Sequence, residues 1–165
     1  MSLKFEIIAG KAFKIDAVIS SKDIISTSIT ESYHSGHSMI PFVNKINNFT
    51  EEVFSKSILV VGENFSYGSS NEMPAISLKK NGVNAIIAKS FFPCFYKNAY
   101  NIGLLCINAN TDYIDDDDDL KIDLIQNFIQ NKTKQLGIKI KPIKKYFYNL
   151  YLNGGLLNTI FKEGV

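Results

Sequence analysis

The chain contains no arginine: all 18 of its cationic residues are lysine. Arginine is the usual bidentate reader of carboxylates and phosphates. An anion bound here must therefore be held by backbone donors, hydroxyls, amides or the point charge of a lysine. Cysteine is nearly as scarce. Cys94 and Cys106 stand alone, outside any CxxC or Cys/His spacing, so the chain offers no zinc site and no iron–sulfur ligand set of its own. They read as buried, reduced thiols of an intracellular protein. There is no excess of one charge. The net charge is +2 and the lysines are scattered, which removes the electrostatic case for nucleic acid. No apolar run approaches the roughly 20 residues that cross a bilayer, and no basic-then-apolar leader opens the chain. A soluble, cytoplasmic protein with no membrane partner is expected. Repeats and linkers are absent too. With 165 residues, 45% of them hydrophobic, residues 1–165 are expected to form a single domain with a real core.

What is present centres on Ser57 to Ile107. An apolar run, Ile58-Leu59-Val60-Val61, leads into a small and polar turn from Gly62 to Asn71. A helical stretch over Glu72 to Asn81 stops at Gly82, and a second apolar run continues from Val83 to Ala88. Strand, loop, helix, strand reads as a parallel crossover unit and points to an α/β fold. Ligands of open α/β sheets bind outside the carboxyl ends of the strands, which places the chemistry in the Gly62–Asn71 loop.

Upstream, alternation predicts a strand over Leu3 to Ile8, a turn at Gly10-Lys11 and a second strand over Ala12 to Ile19. The polar stretch Ser26 to Met39 reads as a long mobile loop. It carries both histidines, His34 and His37, whose i, i+3 spacing is a weak metal signal without a third ligand. Within Pro41 to Phe54 a short helix is expected around Phe42, Val43 and Ile46, followed by a polar turn at Asn47-Asn48. Downstream, Cys94 to Asn101 reads as a helix with core aromatics Phe95, Tyr96 and Tyr100, ended by Gly103. Leu104 to Ile107 reads as a buried strand. Five consecutive carboxylates, Asp115 to Asp119, do not converge as hard-cation ligands must and read as a solvated loop. Beyond them, short antiparallel strands are expected over Lys121–Ile125, Phe128–Lys132 and Ile138–Ile143. A helical tail, Lys144 to Phe161, is interrupted at Gly154-Gly155.

The central loop can be read without a family. Gly62 and Gly68 permit unusual backbone angles. Ser69-Ser70-Asn71-Glu72 stands where a helix begins, at the positive end of its dipole. A plain helix cap and an anion-binding loop both fit. The glycines match neither GxxxxGK[ST] nor GxGxxG, so nucleotide binding is unsupported.

Gly62-x-Asn64-Phe65-x-x-Gly68-Ser69-Ser70-x-Glu72 resembles the signature of the small subunit of 3-isopropylmalate dehydratase, shared with the swivelling C-terminal domain of aconitase. The resemblance continues through Ala88-x-Ser90-Phe91, Phe95-x-x-Asn98, Asn101-x-Gly103-Leu104-Leu105 and Asn153-Gly154-Gly155-Leu156-Leu157. It implies an aconitase-like swivelling β/β/α domain, with a mobile substrate loop at about 21–40. It implies a large partner subunit whose [4Fe–4S] cluster binds a small hydroxy-acid substrate, with no cluster bound by this chain. The implied reaction is the dehydration and rehydration of a hydroxy di- or tricarboxylate, as in leucine biosynthesis. The family's catalytic serine corresponds to Ser69, acting as an alkoxide base that N–H donors and positive charge must stabilise. Gly68, Ser70, Asn71, Asn64 and Lys22 are the implied substrate-binding residues.

Three positions depart from the family pattern. Asn71 stands where an arginine normally comes after the two serines. Tyr67 replaces a small residue or cysteine, and Met73 replaces histidine or glutamine. Without the guanidinium, a lysine such as Lys22 would have to stand in as a point charge. Besides a hydro-lyase subunit, the departures leave room for a non-catalytic or altered-specificity relative that keeps the fold and partner docking. A free-standing anion binder is the third reading.

Overall fold

The computed structural model describes residues 6–25, 40–42, 45–46 and 49–164. The Ser26–Met39 loop with His34 and His37 lies outside the described residues. Among the described residues, seven strands form one sheet in the order β4-β3-β2-β1-β5-β6-β7. β1 (Ile7–Lys14), β2 (Ser57–Val61), β3 (Ala85–Ala88) and β4 (Leu105–Asn108) run parallel. β5 (Asp119–Asp123), β6 (Phe128–Asn131) and β7 (Leu136–Lys139) continue the sheet antiparallel from β1.

The apolar runs explain the parallel half. Every residue of β3 is buried, as are Ile58 to Val61 of β2, as expected for strands covered on both faces. β2 pairs with β3 from Ile58↔Ala85 to Val61↔Ala88, and α3 (Met73–Lys80) forms the crossover between them. The other helices are α1 (Ser21–Ile24), α2 (Phe49–Lys56), α4 (Pro93–Asn101), α5 (Lys145–Asn153) and α6 (Leu156–Glu163). No described helix is long and apolar enough to cross a membrane. Phe95 and Tyr100 of α4 are core residues, with Tyr96 half-buried beside them. The Tyr100 hydroxyl donates to the Cys106 carbonyl at 2.7 Å. Burial pushes the Cys106 thiol well above its ordinary pKa, whereas Cys94 is half-buried rather than a core residue.

Several expectations need correction. No turn forms at Gly10-Lys11: β1 runs straight through it. A Cβ at Gly10 would stand 2.4 Å from Ser57 Oγ and 3.0 Å from the Lys56 carbonyl, so this glycine marks close approach between strands. Consequently β1 ends at Lys14 and the expected strand over Ala12–Ile19 does not form as such. Phe42 sits in a turn with a left-handed φ of 57°, Val43 and the expected turn at Asn47-Asn48 lie outside the described residues, and a helix runs over Phe49–Lys56. The antiparallel strands are displaced toward the N-terminus by up to two residues, and the last by more.

Asp115 to Asp119 also differs from expectation: it is a lysine-paired latch and not a free loop. Asp115 pairs with Lys134 at 2.7 Å, and Asp116 with Lys56 at 2.7 Å. Asp118 is buried and accepts from the Asp115 N–H at 2.7 Å and from Asn131 Nδ2 at 2.6 Å. The Lys14 N–H donates to Asp116 and the Ala12 N–H to the Asp118 carbonyl, both at 2.9 Å. The latch thus ties the antiparallel hairpins to β1 and α2.

The tail docks backbone to backbone. A Cβ on Gly103 would lie 2.6 Å from the Gly154 carbonyl carbon, and one on Gly155 would lie 2.6 Å from the Asn101 carbonyl oxygen. Both glycines also hold positive φ, 72° and 115°. This contact accounts for the glycines in the Asn101–Leu105 and Asn153–Leu157 stretches of the resemblance.

Candidate functional site

The loop after β2 sits at the carboxyl end of the parallel sheet. Residues 62–72 wind through three left-handed conformations, at Asn64 (φ 50°), Ser66 (φ 61°) and Gly68 (φ 91°). Gly62, expected to serve this purpose, holds no positive φ; Asn64 and Ser66 take that role instead. Such a path persists only if its surroundings over-determine it. Phe65 provides the main anchor. It is buried, edge-on to Phe91 and Phe95, with centroids 6.3 and 5.2 Å away. Its N–H donates to the Ser90 carbonyl, and its own carbonyl accepts from the Phe92 N–H, both at 3.0 Å. The Asn64 N–H donates to Ser90 Oγ at 2.7 Å.

α1 packs alongside this loop. The Ser21 N–H donates to the Tyr67 carbonyl and the Ser66 N–H to the Ile19 carbonyl, each at 2.8 Å. Ser21 Oγ donates to the Ser66 carbonyl at 2.8 Å and lies 3.0 Å from Ser66 Oγ, and both residues are buried. Reading the sequence missed this pair, because nothing local to either serine marks its partner 45 residues away. α1 carries a capping box, in which the Ser20 hydroxyl and backbone exchange bonds with Asp23. Burial alone would raise the Asp23 carboxyl, but Lys45 at 2.5 Å and Ser20 outweigh it and hold the pKa below its ordinary value. The region expected to be mobile from residue 21 therefore begins with a capped helical turn, and the described residues break off only after Ile25.

The two segments enclose a cleft of about 130 Å³. Lys22, Gly68, Ser69 and Asn71 line it with Ser21, and Ile25, Met73 and Pro74 form its apolar wall. The structure thus brings together four of the residues singled out from the sequence. Ser69 Oγ accepts the Asn71 N–H at 3.1 Å. Asn71 Oδ1 accepts the Met73 N–H at 2.8 Å, capping the first residue of α3. Lys22 is exposed and makes no ion pair with a described residue. Ser70 and Asn64 are not among the cleft's lining residues. Ser70 is exposed, and its carbonyl accepts from Asn98 Nδ2 at 2.9 Å. No group of three or more His, Cys, Asp or Glu that could hold a metal ion occurs among the described residues.

The arrangement offers a hydroxyl at the start of a helix, one N–H aimed at its oxygen, and a primary amine in the same cleft. Such a setting favours negative charge on the serine oxygen or on a bound anion.

Comparison with known proteins bears on this geometry. The family described as aconitase C-terminal domain matches residues 19–112. The 3-isopropylmalate dehydratase small subunit 2 of Archaeoglobus fulgidus is 36% identical over 162 residues, covering 94% of this chain and 95% of that protein. The methanogen homoaconitase small subunit of Methanocaldococcus jannaschii is 36% identical over 160 residues, covering 95% and 93%. A crystal structure of 3-isopropylmalate dehydratase from Methanocaldococcus jannaschii superposes with a TM-score of 0.85 at 34% identity, covering 95% of both chains.

Proposed function

The chain belongs to the aconitase C-terminal domain family, and on that premise we propose that it is the small subunit of a hydro-lyase of the isopropylmalate dehydratase and homoaconitase type. It acts as one swivelling domain that closes over the site of a large subunit. The observation that carries this reading is the placement of Ser69. Its oxygen receives the Asn71 N–H at 3.1 Å and shares a cleft with Lys22 at the carboxyl end of the sheet. Ser69 takes the proton from the carbon beside a substrate carboxylate, and returns it in the rehydration half-reaction. Serine is a poor base at its free pKa, so the alkoxide depends on the N–H donor, the α3 dipole and exclusion of water on closure. Within the cleft, Lys22, Gly68 and Asn71 hold the substrate carboxylates; Ser70 and Asn64 lie outside its lining. The two cysteines of this chain, one of them in the core, do not suit a cluster. The [4Fe–4S] cluster of the large subunit would supply the Lewis acid for the substrate hydroxyl. The named relatives suggest a hydroxy di- or tricarboxylate as substrate, and leucine biosynthesis or a related pathway as context.

The test is anaerobic co-expression with the large subunit, monitoring alkene absorbance with isopropylmalate, citramalate and homocitrate-type acids. Turnover that falls at least about 100-fold in Ser69→Ala supports the reading. A stable complex without turnover on the panel supports a second reading, a non-catalytic or altered-specificity relative. One observation favours that alternative: the Asn71 side-chain carbonyl is committed to the Met73 N–H, and the chain has no arginine to replace the family's guanidinium.

A further inference from the structure

A second cleft, of about 390 Å³, opens between α4 and α5 and shares no lining residue with the Ser69 cleft. Ser90, two residues beyond the end of β3, and Asn108, the last residue of β4, line its base. It therefore sits at the carboxyl ends of two parallel strands, where α/β sheets take ligands. Its walls are aromatic. Phe91 and Tyr96 lie 5.6 Å apart between centroids, and Phe147 stands edge-on to Tyr96 at 5.1 Å. Its rim is cationic, with Lys141 and Lys144 and no carboxylate. An adjoining depression shares Asn108 and Lys141 and adds Lys89 and Lys139. Of these four lysines, Lys89 is neutralised by Asp112 at 2.6 Å. The other three make no ion pair with a described residue. Ser90 Oγ accepts the Asn64 N–H and keeps its own proton to donate.

Lysines without an ion pair are common among the described residues; what marks this cleft is that two of them, Lys141 and Lys144, line one aromatic surface with no carboxylate among the lining residues. Flat apolar walls select a ring or a comparable apolar body, and the rim selects a negative head group. The volume falls in the range of small-molecule sites. We propose that this cleft is a second ligand site, specific for a small carboxylate with a flat apolar body, such as an arylalkyl carboxylate. The carboxylate lies against Lys141 and Lys144, and the body lies against the packed face formed by Phe91, Tyr96 and Phe147. A short dianion such as malonate has no surface for those walls. A neutral analogue of the same shape has nothing for the rim.

The test uses the full chain, labelled with nitrogen-15, titrated at low salt with 3-phenylpropionate. Saturable shifts of the Ser90, Asn108 and Phe147 amides are expected. The uncharged 3-phenylpropionamide should bind roughly three- to tenfold more weakly, because it forgoes two exposed charge pairs at once. Lys141→Gln/Lys144→Gln should weaken the carboxylate by a similar factor while leaving the rest of the spectrum in place, since both side chains are exposed. Equal binding of the amide would overturn the proposal, as would shifts confined to Gly68–Asn71. So would the absence of saturation by roughly 20 mM, a concentration beyond any specific affinity.

Discussion

Replacing Asn71 by arginine separates what this side chain does for the fold from what it withholds from the site. In the folded chain its side-chain oxygen accepts the Met73 N–H at 2.8 Å. Arginine has no acceptor, so that N–H is left to water. Asn71 is exposed, and water replaces the bond at little cost. The loss belongs at the low end of measured cap removals, about 0.5–1 kcal/mol. For a chain of 165 residues, each kcal/mol moves Tm by about 2–4 °C, so Tm should drop by about 1–4 °C. The gain lies elsewhere. A guanidinium at this position would offer a substrate carboxylate charge-assisted bonds of about 1.5–3 kcal/mol. Taking the lower figure for a site open to solvent, KM should fall about tenfold. The backbone N–H that donates to Ser69 Oγ is untouched by the exchange, so kcat should not fall. Thermal denaturation of the chain gives the first quantity, and steady-state kinetics of the assembled enzyme gives the others. An unchanged KM would refute the assignment of this position to carboxylate binding. A Tm loss beyond about 8 °C would refute the view that Asn71 is only a cap.

The same geometry yields further tests. Gly103→Ala places a Cβ 2.6 Å from the Gly154 backbone at a φ of 72°. It should cost about 2–4 kcal/mol in urea denaturation, the sum of overpacking and left-handed strain, and a loss under about 1 kcal/mol would contradict the backbone contact. Asp116 titrates in the latch. Burial pushes its carboxyl upward, but Lys56 at 2.7 Å and the Lys14 N–H outweigh this and hold it below its ordinary value of 3.8. A carboxyl depressed by folding stabilises fully above that value, and the contribution vanishes as pH falls through the folded pKa. Asp116→Asn should therefore be less stable than the unsubstituted chain at pH 6, with the gap closing as the pH falls below 3.8 and through the folded pKa; a gap that stays constant through that acid titration would contradict the depressed pKa. Ser21→Ala removes a buried donor from the Ser66 carbonyl. It should lower stability by about 1–3 kcal/mol by leaving that carbonyl short of a partner, while Ser21→Thr restores much of it; equal stability of both variants would show the hydroxyl to be idle.

How much is legible in the chain depends on how local the cause is. The β2–α3–β3 crossover can be read directly because a buried parallel strand must be uniformly apolar, and Ile58–Val61 and Ala85–Ala88 are. The glycines of the tail are visible as a pattern, but their purpose is not. Gly103 and Gly155 are set by a backbone contact between segments some fifty residues apart. Gly10 misleads for the same reason: glycine marks turns and close approaches alike, and only the neighbouring strand decides between them. The aspartate run misleads because its lysine partners, Lys56 and Lys134, lie on other elements of the chain.

By itself the sequence determined the α/β class, the loop that carries Ser69 and the family to which that loop belongs. Each of these rests on short-range order, either hydrophobic period or a contiguous motif. Tertiary structure alone decided that Lys22 shares a cleft with Ser69 while Asn64 and Ser70 do not line it. It alone decided that Ser21 and Ser66 clamp the two segments together. The reason is physical. A side chain's direction within an irregular loop is set by successive left-handed residues and by the groups that hold them, and those groups come from other parts of the chain.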